Sequence, residues 1–347
     1  MRRSSVIIVS ILVVAALAWT ALYFGTPGTP LDATFVVESS DSAQKIVDRL
    51  VSRGFVRSRL LFKIALKTSG LATHLQPGTY TLADVHSYEE IIIRLSSGGI
   101  RASEFTLKII EGWDLRDIKK ALESAGYAQA NRFYEVTGLP ATDHRTLSTS
   151  SAAKPDDFSN EFLFLKEKPS YVSLEGYLFP DTYRIFKDAT AEELVKTLLA
   201  NFDRKITPEL RAEFAAHSHS MYQVVTMASI IEKEVRGDGD KRKVADIFWR
   251  RLARGMALQA DSTVNYVTGK DHASVLLQDT KNVSRYNTYK YPGLPLGPID
   301  NPSISSIRAA IDPEPNNYWF FLTDKDGAVH YASTFDEHNR NKARYLR

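Results

Sequence analysis

The sequence predicts an α+β protein: a single N-terminal transmembrane helix, a small strand–helix–helix–strand subdomain and a larger mixed α+β domain. Three observations predict it. A charge-free apolar run opens the chain. Apolar residues then recur at helical spacing between Ser, Asp and Gly stops, and short alternating segments fall between those helices. The chain has 347 residues and a formal charge of only +3, too little for a nucleic-acid footprint. It has no cysteine, which excludes a disulfide framework and a thiolate metal site.

Residues 1–5, MRRSS, are expected on the cytoplasmic side. Val6–Phe24 carries no charge and would be about 28 Å long as a helix, close to the hydrocarbon thickness. Trp19 and Tyr23 suit the outer interface. A cleaved signal peptide ending at Ala16-Leu17-Ala18 is the alternative, but the apolar run continues past that point to spanning length. Residues 25–33, with GTPGTP, read as a linker. Residues 34–100 form the small subdomain: ATFVVE is a strand, 41–54 and 58–70 are helices, and GTYTL is a returning strand. This order is that of a LysM-like sugar-binding module, or of a plain structural prop. Ser87 and Glu90 then make a capping-box pattern before IIIRLSSG.

Residues 101–347 form the larger domain. SEFTLKII alternates as a strand, with Phe105, Leu107 and Ile109 on one face, and DLRDIKKALESAG is a helix. Residues 140–170 are rich in Pro, Ser, Thr and Ala and read as a polar insertion or loop. Helices are expected at about 191–204, 208–217, 221–235 and 241–254, with mixed loops and short strands after Gly255.

Most site chemistry is removed by inspection. Val264 stands where a P-loop needs glycine, and there is no H-E-x-x-H or G-x-S-x-G. Ser229 and Lys233 are four apart rather than three, and the eight histidines are scattered, so neither a metal nor a cofactor is expected. Carboxylate acid–base chemistry remains. In ASIIEKEVRG, Glu232 and Glu234 lie about 160° apart at the edges of one apolar helix face, so amphipathicity does not choose between them. Their neighbours do. Arg236 at i+4 should keep Glu232 ionised. Ile230, Ile231 and the like charge of Asp238 should raise Glu234, the better general acid. The plainer alternative is that both are solvated helix-edge charges.

LQPGTYTL, SLEGYLFPDTYRI, VVTMASIIEKEV, ADIFWRRLARGMALQADSTVNY and YNTYKYPGLPLGPIDNPS, in this order, resemble the endolytic murein transglycosylase (YceG-like) family over residues 5–347. The resemblance implies a single-pass inner-membrane protein, N-terminus inside, with a periplasmic catalytic domain. It would cut nascent peptidoglycan strands between N-acetylmuramic acid and N-acetylglucosamine, leave a 1,6-anhydro end, and so end strand growth. It implies membrane-bound peptidoglycan synthases as partners and Glu234 as the catalytic residue. From the same motifs, Glu175, Tyr177, Gln259, Asp261, Asn287, Thr288 and Tyr289 are candidates for contacting sugar or orienting Glu234. Turn capping and packing are the alternatives for each. A hydrolase with Asp261 or Glu175 as second carboxylate, and an idle glycan-binding scaffold, are the rival functions.

Overall fold

The structure is a computed structural model that describes residues 34–346 apart from 39, 83–84, 99–103, 148–153, 217 and 271–274. The expected anchor and linker lie outside the described residues. Among the described residues no helix is long and apolar enough to cross a membrane. The fold is mixed α+β, with twelve described α-helices and three two-stranded sheets. It divides into two compact units, one of residues 34–104 with Phe186–Ala189, the other of Phe105–Ile185 with 190–346.

In the first unit β1 (Thr34–Val37) pairs antiparallel with β2 (Gly78–Thr81), Phe35 opposite Tyr80. Between them run α1 (Ala43–Ser52) and α2 (Arg59–Thr68), capped by Ser42 and Ser58, whose side chains accept the Lys45 and Leu61 amides. Gly54, at φ +80°, ends α1. Its N–H reaches Val51 O and the Phe55 N–H reaches Leu50 O, a Schellman turn that satisfies two orphan carbonyls. α3 (Tyr88–Ser96) is capped by Ser87, but Glu90 reaches back to the His86 amide, one residue beyond a capping box. Phe35, Leu50, Phe62, Tyr88, Ile91 and Leu95 fill the core.

β3 (Glu104–Lys108) pairs with β4 (Thr182–Phe186), and all of these two strands but Glu104 and Phe186 belongs to the second unit. α4 (Leu115–Ser124) starts in a full capping box of Asp114 and Asp117, and the short α5 (Phe133–Thr137) follows. The described part of 140–170 includes a 3-10 turn at Leu163–Glu167 and is not merely polar surface. Phe158, Phe164 and Leu165 are buried, and the Phe164 ring packs on Phe202 and Tyr177. α6 (Ala191–Lys205), α7 (Pro208–Ala216), α8 (Met221–Glu234) and α9 (Asp238–Ala253) fall where the periodicity places them, to within a few residues.

α8 is the centre of this unit. Every residue from Val224 to Ile231 is buried, including Thr226 and Ser229, so its apolar face has become a full surround. The two hydroxyls remain satisfied: Thr226 donates to Tyr222 O, and Ser229 donates to Thr226 O while accepting the Ile299 amide.

Beyond Gly255 the expectation of loops and short strands is corrected. α10 (Asp261–Thr268), α11 (Ile304–Ile311) and α12 (Phe335–Tyr345) are helices, alongside the hairpin of β5 (Phe320–Thr323) and β6 (Val329–Ala332). α10 hides from a propensity reading because it is short, rich in Thr, Val and Asn, and preceded by Ala260, which has no capping side chain. Packing of α11 against α8 and α9, rather than local preference, selects that helix.

Candidate active site

Three chain segments converge on the end of α8. Glu234 is its last residue, and Val235 turns extended at φ −147°, ψ 153°. The Thr323 hydroxyl on β5 donates to the Glu234 carbonyl at 3.1 Å, satisfying one of the orphan acceptors of the helix end. The side chain leaves this anchored backbone partly exposed. Its Oε1 accepts the Ser262 hydroxyl at 2.8 Å, from the first turn of α10. Burial pushes the Glu234 carboxyl from 4.5 up to about 7, with the negative Asp261 adding to the rise. The Ser262 hydrogen bond and the Arg251 charge act in the opposite sense. Glu234 therefore holds a transferable proton near neutrality.

The raised value expected from the neighbours is present and burial is its main cause, but the assigned like charge is corrected. The like charge is Asp261, far along the chain, not Asp238, which opens α9. Glu232 is corrected as well. Helix α8 stops before Arg236, so the i+4 pair does not form. Instead, Glu232 Oε2 accepts the Ser303 amide at 3.0 Å, the Ser303 and Ser306 hydroxyls at 2.5 Å, and lies 3.3 Å from Lys241 Nζ. Burial alone would raise this carboxyl, but the Ser303 and Ser306 bonds and the Lys241 charge outweigh it and hold it below its ordinary value. Glu232 thus ties α8 to the N-terminus of α11 and the buried Lys241.

Asp261 begins α10 beside Ser262. Tyr289 donates its hydroxyl to Asp261 Oδ1 at 2.5 Å, and the Val275 amide reaches Oδ2 at 3.3 Å. Gln259, exposed and strained at φ +53°, donates its N–H to Thr288 O. Thr288 is buried. Its hydroxyl accepts the Ala260 amide and pairs with Thr263 at 2.9 Å, so it fixes the entry to α10. Asn287 is also buried: its amide donates to Thr280 O and Asn282 O, and its Oδ1 accepts the Tyr289 amide. Of the YNTY segment, then, only Tyr289 is presented towards Asp261 and Glu234, while Asn287 and Thr288 build the loop that carries it.

Glu175 and Tyr177, expected on a sugar-contacting wall, are instead sealed in the interior. Glu175 accepts the Leu115 amide, the Tyr266 hydroxyl and the Asn301 side-chain amide at 3.1, 3.0 and 2.9 Å. Burial nevertheless pushes its carboxyl well above the ordinary value. Gly176, at φ +89°, lets the chain pass Pro298 where a Cβ would come within 2.6 Å, and this close approach holds Glu175 against Asn301. Among the described residues the Tyr177 hydroxyl has no hydrogen-bond partner, and the ring stacks on Phe164.

Sequence reasoning missed Ser262, Arg251 and Thr323. Ser262 stands in the quoted LQADST segment, but its partner is 28 residues away, and no periodicity reports that distance. Arg251 is pinned by Leu258 O at 2.8 Å and Trp319 O at 3.0 Å, which sets its charge beside Glu234. Among the described residues no three His, Asp or Glu side chains are grouped as a metal ligand set. The arrangement can exchange one proton at one carboxyl, beside a fixed negative charge.

The chain matches the YceG-like family over residues 35–344. It is 31% identical, over 89% of its length and 84% of the relative, to a Bacillus subtilis protein named endolytic murein transglycosylase. A Streptococcus pneumoniae protein of the same name is 30% identical over 98% of this chain and 65% of its own length. A yceG-like protein from Listeria monocytogenes, of known crystal structure, superposes with a TM-score of 0.57 at 28% identity, over 88% of this chain and 98% of that one. With the match running through every described element from β1 to α12, the chain belongs to the YceG-like family.

Proposed function

We propose that this chain is an endolytic murein transglycosylase: a lyase that cleaves peptidoglycan strands between N-acetylmuramic acid and N-acetylglucosamine. The observation that carries the reading is one proton-bearing carboxyl, Glu234, at about 7 and in reach of solvent, in a family whose named relatives are murein transglycosylases. Glu234 donates its proton to the glycosidic oxygen, and the bond from that oxygen to muramic acid C1 breaks. The resulting carboxylate takes the proton of the muramic acid C6 hydroxyl as its oxygen closes on C1, giving the 1,6-anhydro ring. Water takes no part, so the second carboxylate of a hydrolase is not required. Asp261, whose oxygens are held by Tyr289 and Val275, supplies negative charge near the oxocarbenium-like centre.

The charge-free run Val6–Phe24 supports an inner-membrane anchor with the catalytic unit in the periplasm. That tether favours nascent strands and a membrane-bound peptidoglycan synthase as partner. The strand–helix–helix–strand order of the first unit supports a LysM-like role in holding glycan.

The test is mass analysis of products from purified, uncrosslinked strands. The wild type is expected to give 1,6-anhydro ends and Glu234→Gln none, a loss of at least about 10²-fold. Reducing ends from the wild type would make it a hydrolase. Undiminished cleavage by Glu234→Gln would remove Glu234 from the mechanism.

A further inference from the structure

The carboxyl of Glu234 is held by Ser262, through both its hydroxyl and its main-chain amide. Its Oε1 accepts the Ser262 hydroxyl at 2.8 Å, and among the described residues no other side chain donates to either oxygen. We propose that Ser262 is a positioning residue that reserves Glu234 Oε2 for the proton transferred in the reaction. The inference rests on the reading of Glu234 as the acid–base group.

A hydroxyl can donate to Oε1 whether the carboxyl is neutral or ionised. In the neutral acid the occupied Oε1 acts as the carbonyl-type oxygen, so the proton resides on Oε2. In the first step the Oε2–H bond breaks, the proton passes to the glycosidic oxygen, and the C1–oxygen bond cleaves. In the second the C6 hydroxyl proton returns to Oε2 as the C6 oxygen bonds to C1. The same oxygen gives and takes the proton, the carboxyl does not turn between steps, and no further reactant is needed. Such fixed geometry is what a two-step proton transfer at one group requires.

The surroundings of Glu234 are consistent with this division. Charged and titratable groups face it from three elements: Asp261 on α10, Arg251 on α9 and Tyr289 on the loop before α11. Ser262 meets it with both hydroxyl and main-chain amide, and each favours the ionised form against burial and Asp261. The main-chain contact survives substitution, so the hydroxyl can be removed alone.

Steady-state cleavage of purified strands by Ser262→Ala, Ser262→Thr and Glu234→Gln, each across pH, tests the proposal. For Ser262→Ala we expect kcat to fall about ten-fold, the worth of one hydrogen bond to a charged group, with KM little changed. The alkaline limb of the rate profile moves to higher pH, because a donor favouring the carboxylate is gone. Ser262→Thr, which restores the hydroxyl, should recover both kcat and the limb. A wild-type profile for Ser262→Ala, a loss confined to KM, or a loss of kcat with the limb unmoved overturns the proposal. If Ser262→Ala does not fold, failure of Ser262→Thr to keep the wild-type limb overturns it instead. An inactive Glu234→Gln beside a normal Ser262→Ala removes only Ser262, whereas an active Glu234→Gln removes the reading of Glu234 itself.

Discussion

Replacing Glu234 by Gln should make the folded protein more stable at alkaline pH while abolishing its chemistry. The carboxyl ionises at about 7 in the fold against 4.5 ordinarily. The folded value is the higher one, so the sign follows directly. Stability is fully present below about 4.5 and is lost as pH rises through about 7, because above that range the fold must hold a charge that burial opposes. A shift of this size corresponds to roughly 3 kcal/mol, and partial exposure of the side chain reduces it to about 1–3 kcal/mol. Gln keeps the shape and the oxygen that Ser262 donates to, but never ionises. In a unit of this size the gain is about 3–10 °C in Tm at pH 8. At pH 5 it should shrink below about 1 kcal/mol, since the folded carboxyl is then neutral and the unfolded one only partly charged. Thermal melts followed by circular dichroism, at both pH values for both proteins, decide the matter. Coincident melts at pH 8, or an equal gain at both pH values, would refute the account of Glu234 as a carboxyl strained by burial.

Two further substitutions separate structure from chemistry. Glu232→Gln should cost about 2–4 kcal/mol, because it leaves the Lys241 ammonium buried without its counter-charge, yet turnover per folded molecule should persist. Since the Glu232 value is depressed, the wild-type advantage exists above the ordinary carboxylate range and is lost as pH falls below it. Urea unfolding at pH 7 and pH 4 should show the gap closing. Glu175→Ala should cost about 3–5 kcal/mol by stranding the Leu115 amide, the Tyr266 hydroxyl and the Asn301 amide. A fall in kcat with an unchanged urea midpoint would instead put Glu175 in the chemistry.

Local interactions were legible in the sequence because their partners lie within one helical turn. Ser42, Ser58, Asp114 and Ser220 cap where a short polar residue precedes an apolar period, and the donors they satisfy are two or three residues on. The strands β1, β2 and β3 and helices α6 to α9 follow from period two and period 3.6 in the same way. That Glu234 rather than Glu232 has the raised carboxyl was also readable, since Ile230 and Ile231 adjoin it on the helix and foretell burial.

The tertiary structure alone decided which groups meet those side chains. Ser262 and Asp261 reach Glu234 across 28 and 27 residues, and Ser303 and Ser306 reach Glu232 across 71 and 74. No spacing rule encodes contacts at such separations. They exist because α10 and α11 are packed against α8, and those two helices are themselves selected by that packing. The same reason moves Glu175 and Asn287 from an expected sugar wall to the interior. A Glu or Asn in a Gly- and Pro-rich segment looks exposed, until three distant donors or two neighbouring carbonyls make burial the lower free energy.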